Sequence, residues 1–363
     1  MVMLKIKRLV DLFLELVRID SESGQEQEIR KYLQIKLKKL GLTTKIDDSG
    51  NLYGYLKSTE KHQKTILLSA HMDTVKPGKG IIPLIKGDKI ISEGQTVLGG
   101  DDKSGIAEIL EVLSVIRENK FKHPALLVLF TVEEEIGVQG SRNIRKFRAD
   151  YGFVMDTDGP IGTVVIAAPT HEKLIVRVTG KAAHAGIEPQ KGINAIIAAS
   201  KAISNMKLGK IDEETTANIG IIEGGKATNI VPDEVTIYAE ARSLNKNKLK
   251  KQLEHMKDTL KKHCTAFGAG VKFIQTREYE SYDVSDNQQI LKVCKKAALQ
   301  CKIKLKLNKS CGGSDANFFN RHGVPCVVLS SGMDKVHTTR EQIKISDMAK
   351  AAKFLLAIIE NVC

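Results

Sequence analysis

Histidine and clusters of acidic residues recur where the apolar segments of this 363-residue chain end. The segments are short and continuously apolar, which is typical of strands buried on both faces of a parallel sheet. Histidine or clustered acids stand at or beside their ends, at His71–Asp73, Asp101–Asp102, Glu133–Glu135 and Asp156–Asp158. Because the carboxyl ends of parallel strands form one crevice in an open α/β sheet, we expect these side chains to lie close together.

Each of these groups also has an ordinary explanation when it is taken alone. The first pair could belong to a turn, and the two acids after Gly99–Gly100 could interact with the dipole of a helix N-terminus. The three glutamates could form an exposed turn, and Asp156–Gly159 could be a simple Asp/Gly turn. Their convergence favours a metal site, since buried acids are paired or coordinate a metal. A set of imidazoles and carboxylates without thiolates suits zinc, cobalt or manganese.

The order of helical and strand patterns predicts an α/β fold with two domains. Buried strands such as Lys64–Ala70 alternate with helices such as Lys103–Arg117, which indicates a mostly parallel sheet flanked by helices. From about His171 the order becomes β-α-β-β-α-β, the ferredoxin-like split unit, before the first pattern resumes. We therefore predict a discontinuous domain over residues 1–169 and 283–363, with an α+β domain inserted at residues 170–282.

Two short patterns carry local predictions. Ser23 and Glu26 have the spacing of a capping box ahead of the second helix. Lysines at 302, 304 and 306 alternate with apolar residues, which predicts a half-buried strand over Lys302–Leu307.

The chain is expected to be a soluble cytoplasmic protein with no membrane contact. No apolar run approaches the roughly 20 residues that cross a bilayer. Met1–Val17 begins basic and then apolar, but Asp11 and Glu15 interrupt it and its apolar residues repeat at helical spacing, so we predict a first amphipathic helix. The six cysteines include no CxxC pair, which fits free thiols in a reducing compartment.

The net charge of +13 raises the question of nucleic-acid binding. The lysines of Asn247–His263 fall between the members of one apolar stripe, as on the solvated face of a helix. The chain has no tryptophan, and aromatic residues make up 5% of it, so it offers few side chains on which bases could stack. We therefore expect no nucleic-acid partner.

Seven motifs in this order resemble the M20 metallopeptidases, and among them the peptidase T-like tripeptidases. They are SAHMDTV, LGGDDKSGIAEI, FTVEEEIGVQGS, MDTDG, GKAAHAG, ATNIVPD and VHTTRE. The resemblance covers nearly the whole chain. It implies a zinc-peptidase-like catalytic domain and an inserted domain that serves as a lid and in dimerisation.

The resemblance also implies a cage for two Zn²⁺ per subunit, with Co²⁺ or Mn²⁺ as alternatives. Asp101 would bridge the two ions. The family's other ligands fall on His71 and Asp156 for one ion, and on Glu135 and His337 for the other. Asp102 is expected to be structural, and Glu133 has no assigned role.

Further residues match the catalytic and substrate-binding positions of the family. Asp73 matches the aspartate that orients His71, and Glu134 matches the general base that activates a metal-bridging water. His184 would stabilise the oxyanion, from its own subunit or from a neighbouring one. The matching substrate-binding positions are Asn229, Arg242 and Gly313. His171, His255, His263 and His322 are expected to be ordinary residues.

The resulting hypothesis is a homodimeric aminopeptidase that cleaves the N-terminal bond of short peptides, tripeptides in particular. Cys311 stands where peptidase T has an arginine, before Gly312–Gly313, which leaves the preferred peptide length open. An M20-type amidohydrolase or deacylase acting on N-acyl amino acids or dipeptides is the alternative. A non-catalytic binding protein is disfavoured, because no ligand or base position is substituted.

Overall fold

A computed structural model describes residues 4–59, 64–145 and 147–362. The helices are α1 (Ile6–Val17), α2 (Gln27–Lys39), α3 (Gly100–Asn119), α4 (Gln139–Arg142), α5 (Ala195–Ser204), α6 (Lys246–Ala266), α7 (Gln288–Cys301), α8 (Asp315–Arg321) and α9 (Ile345–Val362). The strands are β1 (Thr43–Ile46), β2 (Leu52–Leu56), β3 (Thr65–His71), β4 (Pro83–Lys86), β5 (Lys89–Ser92), β6 (Ala125–Thr131), β7 (Tyr151–Thr157), β8 (Thr163–Ala168), β9 (Thr170–Thr179), β10 (Gly209–Lys210), β11 (Thr215–Gly224), β12 (Glu234–Ser243), β13 (Gly270–Tyr279), β14 (Tyr282–Asp283), β15 (Lys306–Lys309), β16 (Cys326–Ser330), β17 (Met333–Asp334) and β18 (Gln342–Lys344).

The largest sheet has the strand order β1-β2-β6-β3-β7-β16-β8-β14, with β15 beside β8. Strands β6, β3, β7 and β16 run parallel at its centre. Toward the edges, β1 and β2 pair in the antiparallel sense, as do β2 with β6 and β8 with β16, while β15 runs parallel to β8. The predicted α/β class is confirmed, and the sheet is a mixed one whose parallel strands occupy the middle.

The central strands are apolar on both faces because both faces are covered. In β3 the residues Ile66, Leu67 and Leu68 are all buried, although successive side chains point to opposite sides. The register pairs His71 with Thr131, so that β3 and β6 end at the same level. The loops that leave these strands therefore begin at one edge of the sheet.

The described chain divides into two units. One comprises Met1–Ala167, Asp283–Ser310 and Ser314–Cys363, and the other comprises Ala168–Tyr282 and Cys311–Gly313. The second unit contains an antiparallel sheet of order β10-β11-β12-β9-β13, and buried residues of α5 and α6 share its hydrophobic core. The order β9-α5-β11-β12-α6-β13 is consistent with the predicted ferredoxin-like unit. The predicted boundaries at 169/170 and 282/283 remain predictions, and Cys311–Gly313 group with the second unit although they lie within 283–363.

A second sheet in the first unit, of order β17-β18-β5-β4, was not predicted from the sequence. Its strands have two to four residues each, which is too short for an alternating pattern to stand out. Its importance lies in the loop between β17 and β18, because that loop carries His337.

Two local predictions were wrong. The strand expected over Lys302–Leu307 begins only at Lys306, because Lys302 ends α7 in a left-handed conformation with φ of 56°. The capping box expected at Ser23 and Glu26 does not form at α2, since Glu26 occupies the N-cap position without a side-chain cap bond. The Ser23 hydroxyl instead donates to Asp73 at 2.7 Å.

Within the described ranges no helix is both long enough and apolar enough to cross a membrane. The cysteines at 264, 294, 301, 311 and 326 are free, and Cys363 lies outside the described residues.

Candidate metal centre

Asp101 lies between two histidines that come from distant parts of the chain. Its Oδ1 is 3.0 Å from Nε2 of His71, the last residue of β3, and its Oδ2 is 3.1 Å from Nε2 of His337. A carboxylate that presents one oxygen to each side is suited to bridge two cations. The structure thus brings together the predicted bridging residue and a predicted ligand of each ion.

The other two predicted ligands join the same cluster. Glu135 Oε1 is 3.0 Å from Nε2 of His337, and Asp156 Oδ1 is 3.9 Å from Nε2 of His71. Two groups have ligand atoms within 4.8 Å of one another, His71 with Asp101 and Glu135, and His71 with Asp102 and Asp156.

Asp102, which is expected to be structural, belongs to the second of these groups. Its Oδ2 accepts the backbone N–H of His71 at 3.3 Å, and its Oδ1 is buried with no hydrogen-bond partner among the residues described. Asp101 nevertheless remains the better candidate for a bridge, because its side chain contacts both His71 and His337 whereas Asp102 contacts neither imidazole in this way.

Asp73 binds the turn that carries the predicted base. Its Oδ1 accepts the backbone N–H of Glu134 at 3.0 Å, and its Oδ2 accepts that of Glu135 at 3.1 Å. His71 Nδ1 is 2.9 Å from the backbone oxygen of Asp73 and 3.4 Å from its Oδ1. Asp73 consequently contacts His71 mainly through its main chain, while its carboxylate holds the Glu134–Glu135 turn.

The electrostatics of the cluster favour a bound cation. Burial, together with repulsion from neighbouring carboxylates, raises the pKa of Glu134 and of Asp156 well above their ordinary values. Hydrogen bonds to Asp101 and Glu135 raise the pKa of His337 to about 10. Buried acids that repel one another need positive charge, and the nitrogen and oxygen atoms present here are those that zinc prefers. The residues therefore fit a divalent metal.

Two acids that sequence reasoning missed bind the loops of this cluster. Glu341 accepts three backbone N–H groups of the segment from Leu98 to Asp101. Glu26 accepts the N–H of Glu133 at 3.1 Å and that of Gly24 at 2.8 Å. The sequence signal for Glu341 is its position in VHTTRE, four residues after His337, whereas the spacing of Ser23 and Glu26 indicates a capping box.

In the second unit, the predicted substrate-binding residue Arg242 belongs to a polar row across three strands. Its Nε and Nη2 donate to Glu240 at 3.1 and 3.0 Å. Arg242 on β12 pairs with His171 on β9, which in turn pairs with Tyr279 on β13. His171 Nε2 is 3.0 Å from Glu240, and the contacts of this carboxylate with His171 and Arg242 lower the pKa of Glu240 to about 2. His171, expected to be an ordinary residue, is therefore part of this row.

The remaining predicted residues of the second unit lie near Arg242 or in a surface loop. Gly313 packs so closely on the Tyr279 ring that a Cβ at this position would overlap it. His184 is exposed, and its Nδ1 accepts the N–H groups of Gly186 and Ile187, each at 3.2 Å. Asn229 is exposed and binds the same loop through its backbone oxygen, which accepts the N–H of Ala185 at 2.9 Å.

Comparison with known proteins agrees with this picture. The model of peptidase family M20/M25/M40 matches residues 67–361. The uncharacterized protein YqjE of Bacillus subtilis (strain 168) is 43% identical over 369 residues, which are 99% of each chain. A crystal structure of a tripeptidase from Staphylococcus aureus is 39% identical with a TM-score of 0.94, and one of aminopeptidase PepT from Bacillus cereus ATCC 10987 is 42% identical with a TM-score of 0.90; both matches cover 99% of each chain.

Proposed function

The chain belongs to peptidase family M20/M25/M40, and from this premise we propose that it is a two-metal aminopeptidase that releases the N-terminal residue of short peptides, tripeptides in particular. The observation that carries the proposal is the position of Asp101 between His71 and His337, with one carboxylate oxygen toward each. The similarity to a tripeptidase and to an aminopeptidase PepT supports the substrate class.

In this proposal His71 and Asp156 would hold one Zn²⁺, Glu135 and His337 would hold the other, and Asp101 would be shared by both. Co²⁺ or Mn²⁺ could take the same ligands. When bound, such a pair of cations polarises a carbonyl and lowers the pKa of water. We assign the catalytic domain to residues 1–169 and 283–363, most of which belong to the first unit.

Glu134 takes a proton from the attacking water and delivers it to the amine that leaves, which is general base and then general acid catalysis by one carboxylate. Asp73 holds Glu134 in place by accepting its backbone N–H at 3.0 Å. Glu134, which moves the proton, thus lies next to Glu135, a proposed metal ligand.

The second unit contributes groups that recognise charge on the substrate. Because Nδ1 of His184 accepts two N–H groups, the proton of the neutral ring lies on Nε2, where it can donate to an oxyanion of its own or a neighbouring subunit. Glu240 occupies the Nε–Nη2 edge of Arg242, and the Nη1–Nη2 edge suits a peptide carboxylate. Asn229 and Gly313 complete the proposed subsite.

We further propose that the inserted domain, residues 170–282, acts as a lid and joins two copies in a homodimer. Past Ala217, the described residues give β11 no strand partner other than β12. Ile221 and Ile222 on this strand are 53% and 47% exposed. An apolar strand with an open edge is a natural site for pairing with a second copy.

The test is a panel of peptides offered to the Zn²⁺-reconstituted enzyme, with the products identified by mass. A tripeptide with free termini should lose its N-terminal residue, and the same tripeptide with an acetylated N-terminus should not be cut. Turnover of N-acetyl amino acids without turnover of the tripeptide would refute aminopeptidase activity and favour the amidohydrolase alternative.

A further inference from the structure

A buried carboxylate outside the proposed ligand set binds the loop that carries Asp101. Glu341 is 2% exposed. Its Oε2 accepts the backbone N–H groups of Leu98 at 2.7 Å and Gly99 at 2.8 Å, and its Oε1 accepts that of Asp101 at 2.9 Å. One carboxylate thus satisfies three backbone donors in the four residues that lead to the bridging position.

The glycine pair before Asp101 makes room for the contact with Glu341. Gly99 has φ of +72°, a left-handed conformation that side chains disfavour. A Cβ on Gly100 would lie 3.0 Å from Oε1 of Glu341, closer than ordinary van der Waals contact. The glycines therefore allow the backbone to fold around the carboxylate, which supplies acceptors to buried N–H groups that lie outside regular helix or strand.

The segment from Lys335 to Glu341 carries both the Glu341 carboxylate and the proposed ligand His337. Thr338 Oγ1 donates to the oxygen of Lys335 at 2.7 Å, and the N–H of Glu341 donates to the oxygen of Thr338 at 3.0 Å. These bonds fix the backbone between His337 and Glu341. The same loop consequently places His337 against Oδ2 of Asp101 and, through Glu341, accepts the backbone N–H of Asp101.

We propose that Glu341 is a positioning residue that fixes Asp101 relative to His337 and thereby sets the affinity and geometry of the metal pair. Its carboxylate accepts backbone N–H groups, and it acts through the backbone of Asp101. The inference rests on the proposed function only in that it requires the cage to bind metal. It does not depend on which peptide bond is cleaved.

The test compares Co²⁺ binding by the metal-depleted full-length chain and three variants. Glu341→Gln replaces one accepting oxygen by a donating NH₂ group. Gly100→Ala keeps the carboxylate but places a methyl group against Oε1. The matched control is Asp47→Asn, because Asp47 likewise accepts two backbone N–H groups, from Ser49 at 3.0 Å and Asn51 at 2.9 Å, but contacts no proposed ligand.

Co²⁺ affinity, the visible absorption of bound Co²⁺ and the thermal unfolding temperature are measured for each protein. We expect Glu341→Gln and Gly100→Ala to weaken Co²⁺ binding by about 10- to 100-fold and to alter the absorption, since residues that orient ligands affect affinity on this scale. Asp47→Asn should keep the Co²⁺ affinity within about twofold of the wild-type value, even if its unfolding temperature falls as far as those of the other two variants.

Wild-type affinity and absorption in both Glu341→Gln and Gly100→Ala would overturn the proposal, as would equal losses in Asp47→Asn. If Glu341→Gln does not fold, Glu341→Asp, which keeps both oxygens on a shorter stem, takes its place with the same expectation. A wild-type chain that binds Co²⁺ but cuts no peptide would refute the proposed function and leave this comparison decisive. A wild-type chain that binds no Co²⁺ would overturn both.

Discussion

Replacement of Asp73 by asparagine tests whether one residue couples the proposed metal ligands to the proposed proton carrier. The carboxylate accepts the backbone N–H groups of Glu134 and Glu135 and the hydroxyl of Ser23, while the main-chain oxygen of Asp73 binds His71. Asparagine has nearly the same shape and keeps that main-chain contact. The substitution therefore perturbs the Glu134–Glu135 turn with little change in packing.

The size of the effect follows from the number of accepting positions. Oδ2 accepts both Glu135 and Ser23, so the asparagine oxygen is expected to take this place. The amide nitrogen then faces the N–H of Glu134, and a buried donor without an acceptor costs about 1–3 kcal/mol. Since about 1.4 kcal/mol in an activation barrier is a tenfold change in rate, we expect kcat to fall about 5- to 150-fold.

The assay measures kcat and KM on a tripeptide, bound metal, and hydrogen exchange of a peptide that spans residues 133–138. Asp73→Asn should lower kcat and speed exchange in this segment. Ser23→Ala is the matched control, because it removes a donor to Asp73 but leaves the carboxylate and both backbone bonds, and its kcat should stay close to wild type. Unchanged kcat and exchange in Asp73→Asn, or equal losses in Ser23→Ala, would refute the reasoning.

Four other outcomes are expected. Glu134→Gln should lower kcat by about 10²- to 10⁴-fold with unchanged metal content, because it removes the proposed proton acceptor. Full chelation should abolish hydrolysis and added Zn²⁺ should restore it; activity in metal-free protein would contradict the proposed centre. His184→Ala should lower kcat by about 10²- to 10³-fold without loss of metal. Gly152→Ala should lower the free energy of unfolding by about 1–3 kcal/mol, since its Cβ would overlap Cys326, and adding Cys326→Ala should recover part of the loss in thermal unfolding.

The convergence of the acid clusters could be anticipated because it depends on strong local signals. Apolar runs such as Ala125–Thr131 are long enough to identify as buried strands, and residues that follow parallel strands must meet at one edge. His337 has no such signal, since it sits between two strands of only two and three residues. Its assignment rested on resemblance to a family, and in the structure its ring approaches Asp101 and Glu135.

Other features could not be predicted because they depend on long-range contacts. Glu341 and the loop it binds are separated by about 240 residues, and nothing in the local pattern of either segment indicates the other. The strand prediction at Lys302–Leu307 was wrong although the local pattern there is strong. Its alternation is a strong local signal, but the chain there first completes the end of α7, where the N–H of Ile303 binds the oxygen of Ala298 at 2.8 Å.

The carboxylates that accept backbone N–H groups explain how irregular loops can hold the proposed metal ligands in place. Buried N–H groups outside helices and strands must find other acceptors, and Glu26, Asp73 and Glu341 each supply them to a loop from another part of the chain. Such a contact determines the loop conformation without involving the hydrogen bonds of the sheet. Loss of one of these acceptors should therefore disturb metal binding or proton transfer while the central strands stay folded. A core change such as Gly152→Ala should do the reverse, which makes the two kinds of residue experimentally separable.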